Sequence, residues 1–181
     1  FRKSQRAIEI GLTRREALTG AAATFGFGLA VGRSLSAQER LAATLPGAKV
    51  CILTPEAVQG PFYFDPKLVR ADITEGRRGA PLTLTLQVAS VKDCARLKGA
   101  RVDLWHADEN GDYDDNTFRY RGHQFVGADG RYRFDTIKAG LYPDRTRHYH
   151  FKVARPYDPP LTTQLYFPLE PRNETDDYYS P

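Results

Sequence analysis

The sequence predicts a mainly β protein built as an antiparallel β-sandwich, and three observations carry that expectation. Leu82, Leu84, Leu86 and Val88 alternate with Thr83, Thr85 and Gln87, the period of two that marks a strand with one buried face. After residue 50 no long segment shows the 3.6-residue period of an amphipathic helix. Twelve prolines and fifteen glycines cut the chain into short runs separated by turns, the pattern of sandwiches and barrels. Apolar residues make up 41% of the 181, enough to build a core and too many for a disordered chain.

Taken in order, the chain opens on basic residues followed by Thr13-Arg14-Arg15-Glu16-Ala17-Leu18 and an Ala/Gly-rich apolar run from Ala17 to Gly32. Ser34-Leu35-Ser36-Ala37 then supplies small residues suited to a signal peptidase. Charged region, apolar region and cleavage site stand in the order of a signal peptide. The whole resembles a bacterial twin-arginine (Tat) signal over residues 1–37, which implies export to the periplasm or the extracellular space. An amphipathic N-terminal helix or an uncleaved anchor is the plainer alternative. The apolar run is short of the roughly twenty residues that a membrane helix needs, so no stable membrane span is expected. Residues 38–50 read as a linker, and residues 51–181 as the β-sandwich domain.

Within that domain, Val102-Asp103-Leu104-Trp105-His106-Ala107 alternates weakly. Asp129-Gly130 between Gln124-Phe125-Val126 and Arg131-Tyr132-Arg133-Phe134 reads as a hairpin. His148–Ala154 and Leu161–Phe167 supply two further strands. The abrupt polar end, Asp176-Asp177-Tyr178-Tyr179-Ser180-Pro181, sets the expectation of a missing closing strand, a fold truncated at its C-terminus. The absence of Met sets the parallel expectation that the chain is a fragment of a longer reading frame.

The formal charge of +4 is confined to the N-terminus. Six of the 26 basic and two of the 22 acidic residues lie in 1–37, leaving twenty of each in the remainder. A neutral body offers no electrostatic reason to expect a nucleic-acid partner. Cys51 and Cys94, the two cysteines, are a disulfide candidate in an oxidising compartment, with two buried thiols as the alternative.

His148 and His150 stand at i and i+2 on a predicted strand and so share one face, while Tyr149, Phe151 and Val153 face the other way. Imidazole suits zinc, copper and iron, and a tyrosinate oxygen is a hard anionic donor, so a site that joined two of each would argue for ferric iron rather than zinc. On the histidines alone, a cupin or a two-His-one-carboxylate site stays open, although Tyr149 is no carboxylate. Most of the ten tyrosines are expected to pack, and periodicity singles out none as a ligand. His106 is read as a local hydrogen-bonding residue and His123 as a surface one. Asp108-Glu109-Asn110-Gly111-Asp112 fails as a calcium loop, because Tyr113 stands where such a loop needs Gly.

An ordered series of segments carries more. It runs Thr54-Pro55-Glu56, Gly60-Pro61-Phe62-Tyr63, Val102 to Asp108, Gly111-Asp112-Tyr113, Asp129 to Phe134, Gly140-Leu141-Tyr142-Pro143, His148-Tyr149-His150-Phe151 and Thr162 to Phe167. From Leu53 to Asn173 the chain thereby resembles the intradiol ring-cleavage dioxygenases, the family of catechol and protocatechuate dioxygenases. The resemblance implies an Fe(III) cofactor held by Tyr113, Tyr142, His148 and His150. It places Arg145 and Gln164 beside the substrate, and Gly60, Pro61 and Tyr63 in the wall of the substrate pocket. Two departures bear on the substrate rather than the metal. Only five residues separate Tyr142 from His148, and no helical N-terminal dimerisation region of the catechol enzymes is read.

The activity implied by the resemblance is that of a dioxygenase taking a small aromatic diol and O2, cleaving between the hydroxylated carbons and releasing a muconate-type diacid. Arg145 would stabilise developing negative charge, and Tyr142 would accept a proton on leaving the metal. No Gly-rich dinucleotide motif is present, in keeping with a reaction that needs no external reductant. A homo-oligomer is compatible with this reading. The alternative is a non-catalytic, extracytoplasmic binding module of transthyretin-like β-sandwich shape, since a fold does not imply a function.

Overall fold

The structure, a computed structural model, describes the backbone of Ala7–Glu9 and residues 54–179. Among the described residues there are seven strands: β1 Ala7–Glu9, β2 Pro81–Ala89, β3 Arg101–Trp105, β4 Arg121–Phe125, β5 Arg131–Ile137, β6 His148–Ala154 and β7 Leu161–Tyr166. A 3-10 turn, Pro171–Glu174, follows them. Two antiparallel sheets result, one ordered β1-β2-β5 and the other β4-β3-β6-β7. Most of the segment read as a signal peptide, the linker and Cys51 lie outside the described residues. Ala7–Glu9 falls inside the signal reading, and its backbone pairs with Ala89–Gln87 of β2. Cys94 is disulfide-bonded. Among the described residues no helix is long and apolar enough to cross a membrane.

The core follows the alternation seen in the sequence. Leu84, Leu86 and Val88 of β2 and Tyr132 and Phe134 of β5 join one apolar cluster with Val102 and Leu104 of β3, Tyr149, Phe151 and Val153 of β6, and Leu161 and Leu165 of β7. Burying those rows from both sheets together is what joins the layers. Tyr149, fully buried, also ties the layers by hydrogen bonds, as a buried phenol requires. Its hydroxyl donates to the Ile137 carbonyl and accepts the Ala139 N–H, both at 2.8 Å.

The Asp129-Gly130 hairpin is not formed. A turn is there, closed by Gly127 N–H on the Arg131 carbonyl at 2.9 Å with Gly130 at φ 76°. Beyond it the chain changes layers: β4 pairs with β3, and β5 pairs with β2. The local turn signal is genuine, but the buried faces of β4 and β5 belong to opposite sheets, and burial decides the partners.

On the face of the four-stranded sheet away from the core, register builds one rung from Arg121, Trp105, His150 and Gln164. The next rung holds His123, Asp103, Lys152 and Thr162. Residues 55–70 cover that face. Ala57 N–H bonds the Thr162 carbonyl of β7 at 3.0 Å, and Arg70 N–H bonds the His123 carbonyl of β4 at 3.1 Å. The segment thus spans from one edge strand to the other, covering both open edges and laying Phe62, Tyr63 and Phe64 across the polar rungs.

Candidate metal centre

The strand alternation of β6 sends His148 and His150 out of the core together, and both are buried under the covering segment. The Nε2 atoms of the two rings stand 3.2 Å apart, and the Tyr113 hydroxyl oxygen lies 3.0 Å from His148 Nε2. His148 Nδ1 lies 2.7 Å from the Thr146 carbonyl oxygen. A carbonyl only accepts, so Nδ1 carries the proton and Nε2 presents its lone pair toward Tyr113 and His150. His150 is oriented by its ring, stacked on Trp105 at 4.8 Å and 9°, and its Nδ1 is buried without a hydrogen-bond partner.

Burial holds both imidazoles neutral. His148 is pushed down to about 4, with its bond to the Thr146 carbonyl opposing and Arg145 assisting, and His150 is lowered well below the ordinary range. Neutral imidazole is the form that binds a metal. Burial drives the Tyr113 hydroxyl the other way, far above its ordinary value, so only a cation at its oxygen would make it a tyrosinate. Three converging donors with spacings of 3.0 and 3.2 Å match neighbouring ligands about 2.1 Å from a common ion. The donor set therefore fits a metal, and an anionic oxygen beside neutral nitrogens fits a hard, highly charged one.

Tyr142 joins the cluster through its ring, edge-on to Tyr113 at 5.5 Å and to Phe62 at 5.8 Å. Two glycines allow its loop to approach that of Tyr113. A Cβ at Gly111, φ 96°, would collide with the Leu141 carbonyl, and one at Gly140 with the Gly111 backbone. Gly140 N–H bonds the Asp108 carbonyl at 2.6 Å, and the Asp112 carbonyl accepts Asp108 N–H at 2.8 Å. The stretch that fails as a calcium loop is thus the turn that sets Tyr113 against Tyr142.

Arg145 and Gln164 are brought together. Arg145 Nη2 donates to Gln164 Oε1 at 2.7 Å, and Gln164 Nε2 donates to the Val58 carbonyl at 2.7 Å. Gly60, at φ 69°, lies beside the His150 ring, where a Cβ would sit 3.7 Å from Cε1. That is ordinary contact, so the left-handed backbone rather than space asks for glycine. Tyr63 reaches the site at one remove, packed 4.7 Å from Trp105, and Pro61 is exposed in the turn between Gly60 and Phe62.

Phe62 was missing from the sequence-predicted pocket. It stacks face to face on Tyr113 at 4.5 Å and 8°. Pro61 and Phe62 form a turn, so no strand alternation in the sequence marks which of Phe62 and Tyr63 meets Tyr113. Arg121 was missed as well. It is buried, donates to the Phe62 carbonyl at 2.8 Å and to the Asp114 carbonyl, and lies over the Phe64 ring at 3.9 Å.

Of the other histidines, His106 behaves as expected: Nδ1 bonds the Ala107 carbonyl and Nε2 the Thr136 hydroxyl, both at 2.6 Å. His123 does not, for it is buried. The covering segment closes over its rung, placing it within 4.8 Å of ligand atoms of Asp65 and Asp103. Arg101 already spans those carboxylates, at 2.8 Å from Asp65 and 2.9 Å from Asp103. The group is an ion network supporting Tyr63, whose hydroxyl is pushed up to about 12 by burial and by Asp103.

Residues 58–180 match the Dioxygenase family model, Dioxygenase_C. The chain belongs to that family, the intradiol dioxygenases. It is 31% identical to a chlorocatechol 1,2-dioxygenase of Cupriavidus pinatubonensis, over 61% of this chain and 53% of that protein. It is 29% identical to a hydroxyquinol 1,2-dioxygenase of Nocardioides simplex, over 62% and 47%. The chain therefore spans about half the length of the curated relatives it matches. Among solved structures, the dioxygenase domain of a dioxygenase–carbohydrate-binding fusion from Streptomyces sp. SirexAA-E is 46% identical, with a TM-score of 0.64, covering 71% of this chain and 83% of that one. An intradiol ring-cleavage dioxygenase from Tetranychus urticae is 26% identical, with a TM-score of 0.67, covering 71% and 80%.

Proposed function

We propose that this chain is a non-haem Fe(III) intradiol dioxygenase that cleaves a catechol-type ring with O2 to a muconate-type diacid, exported by the Tat route to the periplasm or beyond. The observation that carries the reading is the convergence of Tyr113 Oη, His148 Nε2 and His150 Nε2, with Tyr142 alongside. Those four residues would hold the ion. A ferric ion bound there would supply the Lewis acidity that draws electron density from a catecholate and opens its ring to O2.

The remaining work falls to side chains. Tyr142, half-buried and edge-on to Tyr113, would, as the tyrosinate released from the ion, accept a proton as a diol binds. The Arg145 guanidinium offers a fixed positive charge to the negative charge that develops on the substrate. Both polar ends of Gln164 are bonded, to Arg145 and to Val58, so Gln164 orients the arginine rather than moving protons. Phe62, stacked on Tyr113, would present aromatic surface to an aromatic substrate and help exclude water, while Tyr63 backs the Trp105 ring on which His150 stacks.

The test is iron content and the visible spectrum of the iron-loaded protein, with and without a panel of catechols. The expected protein is red-brown from tyrosinate-to-Fe(III) charge transfer, changes spectrum with catechols and cleaves at least one of them. A protein that remains colourless and inert after exposure to ferric iron would instead be a transthyretin-like binding module.

A further inference from the structure

Asp176 lies past the 3-10 turn, far in sequence from the tyrosine and histidine segments, yet its carboxylate is buried with a side-chain exposure of 1%. Three groups hold it there. Arg145 Nε donates to both of its oxygens at 2.9 Å. The Thr146 N–H donates to Oδ2 at 2.7 Å, and the Tyr178 N–H donates to Oδ1 at 2.9 Å. Burial works against its charge, but the two amides and Arg145 outweigh it and hold the carboxyl below its ordinary range.

Two of those contacts lead to the metal centre by separate routes. Through Arg145, Asp176 fixes a guanidinium that also bonds Gln164 and lies over the Tyr178 ring at 4.7 Å. Nε and one N–H of Nη2 are taken by these bonds, which fixes the plane of the guanidinium. Through the Thr146 N–H, Asp176 anchors the residue whose own carbonyl, on the following peptide, receives the His148 Nδ1 proton at 2.7 Å. That proton determines which His148 nitrogen carries the lone pair.

We infer that Asp176 is a positioning residue that sets two elements of the site at once: the direction of the Arg145 guanidinium and the tautomer of His148. It touches neither substrate nor metal. The inference rests on the proposed role of Arg145 and His148 at an iron site. Its physical basis is general: partners that hold a metal-binding histidine in one tautomer typically cost 10–100-fold in metal affinity when removed, and a guanidinium is useful to a reaction only when its direction is fixed beforehand.

The experiment compares wild type, Asp176→Ala, Arg145→Ala and the double variant for Fe(III) affinity and for kcat and KM on catechol. Asp176→Ala, which loosens the Thr146 carbonyl without removing it, is expected to lose up to roughly tenfold in iron affinity, whereas Arg145→Ala keeps it. With iron saturating, Asp176→Ala should also lose at least about tenfold in kcat, and the double variant should be no slower than Arg145→Ala alone, because the second change removes nothing further. Additive losses, or wild-type iron affinity and kcat in Asp176→Ala, overturn the inference. Should Asp176→Ala not fold, Asp176→Asn keeps an acceptor for one of the two amides and is expected to lose kcat with less change in iron affinity; wild-type kcat in it likewise overturns the inference. A metal-free readout separates this from the function itself. Long-range proton–nitrogen NMR of the apo-protein should show His148 as the Nδ1–H tautomer in wild type and a mixture in Asp176→Ala; one unchanged tautomer in both overturns the coupling. If the wild type neither takes up iron nor cleaves catechols, the proposed function fails whatever the NMR shows.

Discussion

His148 owes its readiness for a metal to one backbone oxygen. The Thr146 carbonyl takes the Nδ1 proton, and burial keeps the ring uncharged. His148→Ala and His150→Ala are therefore expected to lose iron, since each removes a neutral donor that nothing nearby replaces. Arg145→Ala should keep iron and colour, because a guanidinium has no lone pair to give, yet lose on the order of a hundredfold in turnover. Iron content beside ring-cleavage rate for the three variants decides it, and an iron-free Arg145→Ala would end the charge-stabilising role. His106 makes a different prediction, about stability. Burial pushes it down to about 4, whereas a free imidazole titrates near 6.5. The unfolded chain then takes up a proton at higher pH than the folded one. Stability present above about 6.5 is lost as pH falls toward 4, by about 3 kcal/mol for this ring. His148 and His150 shift in the same direction and add to the loss. Urea midpoints measured from pH 7 to pH 4 should fall steeply, and His106→Gln should flatten the slope.

At the scale of the element, β6 shows how one strand serves two purposes. His148 and His150 leave the core on one side while Tyr149, Phe151 and Val153 enter it on the other. Stability and the proposed metal binding are then separable along a single strand. Tyr149→Phe leaves the Ile137 carbonyl and the Ala139 N–H without their buried partner, which costs about 1–3 kcal/mol. Chemical denaturation should register that loss while iron uptake stays at the wild-type level. Iron loss on a folded Tyr149→Phe protein would show that the two faces are not independent. The same alternation was readable in β2, where Leu84, Leu86 and Val88 are buried as their spacing predicts. It failed at the Asp129-Gly130 turn, where local turn chemistry says that the chain reverses but cannot say which layer it reverses into.

Across the whole molecule, the site is assembled from five separated stretches, around residues 60, 113, 142–150, 164 and 176, each contributing its own side chains. A site so dispersed requires a folded domain, and a Tat signal would suit a protein that acquires its metal before export. Replacing Arg14 and Arg15 by Lys should leave precursor in the cytoplasm, as cell fractionation would show. Normal export of that variant would point to another route or to an anchor.

The sequence by itself determined the strand periodicity and the common face of His148 and His150. These are properties of neighbours in the chain, and alternation acts over two or three residues. The resemblance to a family then named Tyr113, Tyr142, Arg145 and Gln164, which no local pattern marks. Only the tertiary structure decided that β4 and β5 part into different sheets, that His123 is enclosed beside Asp65 and Asp103, and that Phe62 rather than Tyr63 lies on Tyr113. It alone placed Asp176 on Arg145, 31 residues away. The physical reason is common to all of these. Burial and hydrogen bonding select partners by which surfaces meet once the sheets are packed, and a residue's own neighbourhood carries no record of what will cover it.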